Sequence, residues 1–222
     1  MERVASTLPR FRVPPAEVRA ECHARYEKAV EAEERELYER RLERSAIPAR
    51  FGRAELPECR EEVRRWVAEA DGADAEKWLV LIGKNGRGKT HEACAALKAI
   101  ARSRRVLFAS AVRVVEEAAK GRADAMLYAN VPALVIDDLG KEDAAAWKSP
   151  AAFEVIDARH ASNRLTIVTT NLGSDDLLRH YGRWGDAEGV GSGIVSRLSS
   201  ARIVRFEGPD MRLSGDGREA DR

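Results

Sequence analysis

Gly83-Lys84-Asn85-Gly86-Arg87-Gly88-Lys89-Thr90 joins the apolar run Leu79-Val80-Leu81-Ile82 to a stretch of helical composition, His91-Glu92-Ala93-Cys94-Ala95-Ala96-Leu97. Few folds accommodate such an octet. The spacing is G-x-x-x-x-G-K-T between a strand and a helix, the arrangement that seats phosphate groups on main-chain amides. Glycines 83, 86 and 88 permit the positive φ angles and close approach that a nest of converging N–H groups requires. The N-terminus of the following helix adds the positive end of its dipole. Gly83, Lys84, Asn85, Gly86, Arg87, Gly88, Lys89, Thr90 and His91 are therefore the predicted cradle for a nucleoside triphosphate. Within it Lys89 is expected to reach the β- and γ-phosphates and the Thr90 hydroxyl to ligate Mg²⁺.

Short apolar runs recur at Trp78–Ile82, Val106–Ala109, Ala133–Ile136, Leu165–Thr169 and Ile203–Phe206, separated mostly by helical stretches. Such alternation predicts an α/β fold, a mostly parallel five-stranded sheet between two helical layers, and the octet after its first strand makes the expected fold one of the P-loop NTPase type. In a parallel sheet the ligand lies at the carboxyl edge, so strand-terminal polar residues are the next candidates. Leu134-Val135-Ile136-Asp137-Asp138-Leu139-Gly140 ends in two acids. Asp137 is expected to hold the magnesium, and Asp138 to orient or deprotonate the attacking water. Asp138 has a plainer alternative as a helix N-cap or solvated turn acid. Leu165-Thr166-Ile167-Val168-Thr169-Thr170-Asn171 ends in an amide. Asn171 either senses the γ-phosphate and fixes the water without adding charge, or merely turns the chain at a strand end.

Phosphoryl transfer spreads negative charge over the γ-oxygens, where a guanidinium accelerates hydrolysis. Arg197, in Gly193-Ile194-Val195-Ser196-Arg197-Leu198, is the first candidate, delivered from a neighbouring subunit. Arg212, in Gly208-Pro209-Asp210-Met211-Arg212-Leu213, is the second, acting within its own chain.

Ahead of this unit, Pro9, Pro14 and Pro15 favour an extended lead, and Ala16 to Arg44 is free of helix breakers. Val18, Cys22, Tyr26 and Val30 at i+4 steps, then Leu37, Tyr38 and Leu42, give that helix a thin apolar stripe. It is either a solvated helix lying on the domain or an arm that docks in a partner's groove. Pro48 and Gly52 mark a break, after which Val63, Trp66 and Val67 place a helix over Glu58 to Ala70. The expected domains are thus an arm over residues 1–44, the nucleotide domain over 45–213, and a disordered tail over 214–222, rich in Gly and charge.

Length and composition set the outer limits. At 222 residues with 44% hydrophobic residues the chain supports one core and an appended arm. With 38 Lys plus Arg against 37 Asp plus Glu, nucleic-acid contact must come from a local cluster; Arg102, Arg104, Arg105, Arg113 and Lys120 are candidates for a basic edge, or simply surface charge. Cys22, Cys59 and Cys94 are widely separated and outside any C-x-x-C, which predicts reduced thiols and no zinc module. No apolar run reaches membrane-helix length and the first residues lack a signal-peptide core, so a cytoplasmic protein is expected.

Taken together, these motifs resemble the DnaC/IstB-like branch of the AAA+ ATPases, which contains replicative-helicase loaders and transposition helper ATPases. The likeness spans residues 45–213 and rests on Ile47-Pro48-x-x-Phe51, the octet Gly83 to Thr90, Val135 to Gly140, Ile156-Asp157-Ala158-Arg159-His160, Thr169 to Leu172, Ser196-Arg197-Leu198 and Met211-Arg212-Leu213. The resemblance implies ATP as nucleotide, Walker A and B roles for the first two nucleotide motifs, sensor 1 for Asn171, an arginine finger for Arg197 and sensor 2 for Arg212. It also implies little or no separate C-terminal lid, self-association through the ATP site, and binding of single-stranded DNA and a replicative DNA helicase. Two departures stand out. Cys22 and His23 are too few for the N-terminal zinc site of some members, and Asp138 replaces the Glu common in AAA+ proteins. Arg159 matches a family arginine without an evident part; a helix-surface ion pair is its simplest expectation.

Overall fold

The computed structural model describes residues 15–142, 149–182 and 189–210. Two units cluster separately along the chain, Met1–Glu39 and Arg40–Arg222. The first holds, where described, most of helix α1 (Ala16–Glu43), which ends within the second; its Ala, Glu and Arg content sustains 28 residues, and none of its side chains is buried. Exposure of Val18, Tyr26 and Leu37 follows from that thin stripe.

Past the end of α1 the second unit continues with two 3-10 turns, Ala49–Phe51, capped by Pro48, and Leu56–Glu58, which contains Pro57. Cys59 (ψ 162°) and Arg60 (ψ 150°) leave the helical region after the second turn, so helix α2 covers Glu61–Glu69 and starts three residues later than the apolar spacing predicts. Strands and helices then alternate: β1 (Trp78–Gly83), α3 (Lys89–Ala101), β2 (Val106–Ser110), α4 (Ala111–Ala118), α5 (Arg122–Asn130), β3 (Ala133–Leu139), α6 (Ser149–Ala161), β4 (Leu165–Thr170), α7 (Ser174–Tyr181), α8 (Val190–Ser199) and β5 (Arg202–Phe206). Every expected strand is present, and all neighbours in the order β2-β3-β4-β1-β5 pair in parallel.

Alternation along the strands divides the core into two layers. Trp78, Val80, Leu134, Ile136 and Val168 pack with Val114 and Val115 of α4, Val155 and Ile156 of α6, and Ile194 and Leu198 of α8. Leu79, Leu81, Val135 and Ile167 point to the opposite face, where α3 supplies buried Ala93, Ala96, Leu97 and Ile100. The sheet is therefore sandwiched as its near-continuous apolar strands require. Because β4 lies between β3 and β1, its end falls between the two nucleotide motifs.

Arg159 departs from expectation. It is fully buried rather than a surface ion-pair partner. From α6 its Nη1 donates to the carbonyls of Tyr128 (2.7 Å) and Val131 (2.9 Å), and Nε donates to Thr166 Oγ1 (2.9 Å). Nη2 donates to the Leu165 carbonyl at 2.5 Å. The planar fork of donors thus ties the end of α5 to the start of β4, a task that suits guanidinium. Burial, and to a lesser degree the like charge of Arg164, lowers its pKa to about 9.

Candidate nucleotide-binding site

The site grows from the carboxyl ends of β1, β4 and β3. After β1 the chain turns through Gly86 (φ +72°) and Gly88 (φ +84°), left-handed conformations that glycine adopts without penalty. Gly88 is the N-cap of α3, so the loop delivers the helix N-terminus directly into the site.

Lys89, the first residue of α3, is buried, and its Nζ donates to the carbonyls of Gly83 (2.7 Å) and Lys84 (2.9 Å). It also donates to Asn171 Oδ1 at 2.8 Å, while Asn171 Nδ2 donates to Asn85 Oδ1 at 2.9 Å. The amide beyond β4 therefore bridges the loop and its lysine, a more specific position than a chain turn requires. Across the site Thr90 Oγ1 donates to Asp137 Oδ1 at 2.8 Å. A hydroxyl and a carboxylate paired in this way suit a hard divalent cation that completes its shell with phosphate and water.

Thr169 supports both acids. Its hydroxyl donates to Asp137 Oδ1 (2.7 Å) and accepts from the Asp138 N–H (2.8 Å). Burial raises the pKa of Asp137, and the hydrogen bonds from Thr169 and Thr90 oppose that rise. Asp138 is no helix cap: it belongs to β3, has φ +61°, and coincides with a register shift against β4. Its Oδ2 accepts from Lys141 Nζ at 2.7 Å. A left-handed Asp costs roughly 1 kcal/mol and marks a place where neighbouring structure dictates the backbone.

A cavity of about 210 Å³ is lined by Asn85 to His91, Asp137, Asp138 and Lys141, and by Arg50 and Phe51 from the first 3-10 turn. A groove of about 390 Å³ beside it is lined by Lys84, Asn85, Arg87, Asn171 and Asp210. His91 stands edge-on to Phe51, with ring centroids 6.4 Å apart. Arg87 uses Nη1 to hold the Phe206 carbonyl at 3.0 Å. Sequence reasoning assigned no part to Arg50, Thr169 or Lys141; Phe51 carried a signal only through the Ile47-Pro48-x-x-Phe51 pattern.

Arg197 does not line this cavity. Its Nε donates to Asp157 Oδ1 at 2.8 Å, Nη1 to the Gly193 carbonyl at 2.9 Å, and the guanidinium lies 4.8 Å from the Phe153 ring centroid. Arg212 lies outside the described residues, as do the extended lead and the tail. The proposed basic edge is divided: Arg102, Arg104 and Arg105 precede β2 at the amino edge, whereas Arg113 follows it at the carboxyl edge. Arg104 pairs with Asp71, and Arg113 with Glu117 at 2.9 Å.

Comparison with known proteins agrees with this architecture. The family described as IstB-like ATP binding protein matches residues 61–218. An ATP-binding protein in an insertion sequence of Mycobacterium tuberculosis is 28% identical over 147 residues, 63% of this chain and 57% of that protein. Our chain thus aligns with little more than half the length of that curated relative. Among solved structures, the DnaC helicase loader shows 26% identity and a TM-score of 0.55, covering 72% of this chain and all of the other. DnaI superimposes with a TM-score of 0.63 at 23% identity, covering 76% of this chain and 95% of the other, a likeness of fold.

Proposed function

Because the chain belongs to the IstB-like ATP-binding family, with a DnaC-like AAA+ fold, we propose that it is an ATP-hydrolysing helicase loader. One observation carries this reading: the ends of three strands bring Lys89, Asn171, Thr90, Asp137 and Asp138 around a single loop. Bound ATP would supply the γ-phosphoryl group, with Mg²⁺ neutralising its charge.

Each residue then has a physical task. Lys89 exchanges the Gly83 and Lys84 carbonyls for phosphate oxygens, and Thr90 with Asp137 holds the cation. Asp138, spared direct burial and paired with Lys141, accepts the proton of the attacking water. Asn171 orients that water or the γ-phosphate by hydrogen bonding alone. Phe51 and Arg50 offer a ring and a guanidinium to the base. Arg197 reaches the nucleotide of a neighbouring copy, and Arg212 contacts the phosphates within its own chain.

Residues 1–44 act as the arm that grips the replicative helicase, and residues 45–213 form the ATPase domain, ahead of a tail over 214–222. Single-stranded DNA is the proposed nucleic-acid partner, and the cytoplasm the proposed location. Among the described residues no helix is long and apolar enough to cross a membrane. The insertion-sequence relative favours a second reading, a transposition helper that recruits a transposase.

Phosphate release from ATP, with and without single-stranded DNA and the host's replicative helicase, tests the enzymatic part. Wild type should turn over, while Lys89→Ala and Arg197→Ala should not. Pull-downs of helicase and transposase, with and without residues 1–44, separate the two readings. Capture of helicase by the full chain alone supports the loader; capture of transposase alone supports the helper.

A further inference from the structure

The turn that follows Asp138 is held from outside the nucleotide cavity. Asp138 (φ +61°) and Gly140 (φ +92°) both occupy the left-handed region; glycine adopts it freely, whereas at Asp138 the local sequence does not favour it. Such a backbone persists only where its surroundings fix it. Thr170 Oγ1 donates to the Leu139 carbonyl at 2.7 Å, and Leu172 packs where a side chain at Gly140 would stand. The Gly140 N–H donates to Glu142 Oε2 at 2.9 Å.

Glu142 itself is buried, and its Oε1 accepts from the hydroxyl of buried Tyr181 on α7. Among the described residues His180 also faces it, its buried Nε2 lying 3.8 Å from Oε1 without a hydrogen bond. Burying a carboxylate against a phenol and one amide is costly where a neutral residue of the same size would pack. Burial and the facing carboxylate push the Tyr181 pKa well above its ordinary value, which keeps the phenol a donor. Neither residue lines the cavity.

We propose that Glu142 and Tyr181 are positioning residues that set the backbone of Asp138, linking the turn after β3 to α7, the helix that follows Asn171. Tyr181 holds the carboxylate, the carboxylate holds the Gly140 N–H, and the turn so fixed aims Asp138 at the water beside the γ-phosphate. Two residues at the site, Asp138 and Asn171, are thereby joined through one buried pair as well as through β4. This inference rests on the reading of Asp138 as the group that activates water.

The test compares single-turnover ATP hydrolysis and the affinity for a fluorescent ATP analogue in the full chain. Glu142→Ala and Tyr181→Phe should slow hydrolysis by about tenfold or more while the dissociation constant stays within about twofold. Glu142→Gln should restore most of the rate, because its amide oxygen accepts from Gly140 and its amino group can face the phenol oxygen. Should Glu142→Ala fail to fold, Tyr181→Phe decides alone, since it removes one hydroxyl. Wild-type hydrolysis in Tyr181→Phe would overturn the proposal, as would parallel loss of affinity and rate, or a Glu142→Gln variant as slow as Glu142→Ala. Asp138→Asn is the control: normal hydrolysis there would remove the premise, whereas its loss beside an unaffected Tyr181→Phe would remove the pair alone.

Discussion

Replacing Thr169 with Val removes one hydroxyl and disturbs both acids at once. The Asp138 N–H loses its acceptor at 2.8 Å, and Asp137 Oδ1 loses a donor at 2.7 Å. Thr169 is fully buried, so water cannot replace either partner without rearrangement. An unsatisfied buried N–H costs about 1–3 kcal/mol, and a hydrogen bond to a charged group contributes about 1.5–3 kcal/mol. Because the two share one oxygen they do not simply add, and a loss of roughly 3 kcal/mol is expected. In a chain of this size that corresponds to a fall in Tm of about 6–12 °C, readable by calorimetry. A second consequence is electrostatic. Burial already raises the Asp137 pKa and Thr169 opposes it, so Thr169→Val moves it further upward. Magnesium-dependent ATP binding needs the carboxylate and should weaken at a higher pH than in wild type. Thr169→Ser, which retains the hydroxyl, should restore most of both properties. An unchanged Tm together with an unchanged pH profile in Thr169→Val would refute the reasoning.

Four further outcomes follow from other parts of the structure. Arg159→Met leaves the carbonyls of Tyr128, Val131 and Leu165 without their buried donor and should destabilise by about 3–5 kcal/mol in urea titrations; Arg159→Lys should recover less than half. Gly86→Ala forces a side chain into φ +72° and onto the Asp210 carboxylate, and should weaken ATP binding about tenfold or more by calorimetric titration. Asp157→Asn loosens Arg197 from a partly exposed pair worth about 0–1 kcal/mol, so ATP turnover should change by no more than about fivefold, unlike the loss expected for Arg197→Ala. In the free protein, the raised pKa of Asp137 means that folding favours its protonated form. That contribution is present below the unfolded carboxyl pKa and disappears as pH rises through the folded value, so Asp137→Asn should flatten this part of the stability profile measured by chemical denaturation.

Much of this was legible because the relevant signals are local. The octet from Gly83 to Thr90 needs only its own spacing, and five apolar runs separated by helical stretches suffice for a parallel sheet. Asp137 and Asn171 announce themselves as polar residues ending apolar strands. What remained hidden depends on register and tertiary contact. Thr169 reads as one more β-branched strand residue until β4 is set beside β3, whereupon its hydroxyl meets both acids. Arg159 resembles the many surface arginines of the chain, and only the approach of α5 and β4 turns it into a buried clamp. Phe51 and Arg50 lie far ahead of the octet in sequence and reach the cavity because the 3-10 turn at Ala49–Phe51 places them there. Glu142 and Tyr181, 39 residues apart, carry no shared motif.

Calorimetric titration of the full chain with ATP and Mg²⁺ addresses the centre of the account most directly. One nucleotide should bind per chain, with Mg²⁺ strengthening the interaction and Lys89→Ala abolishing it. A folded wild-type chain that takes up no ATP, or a Lys89→Ala variant that binds as well as wild type, would contradict it.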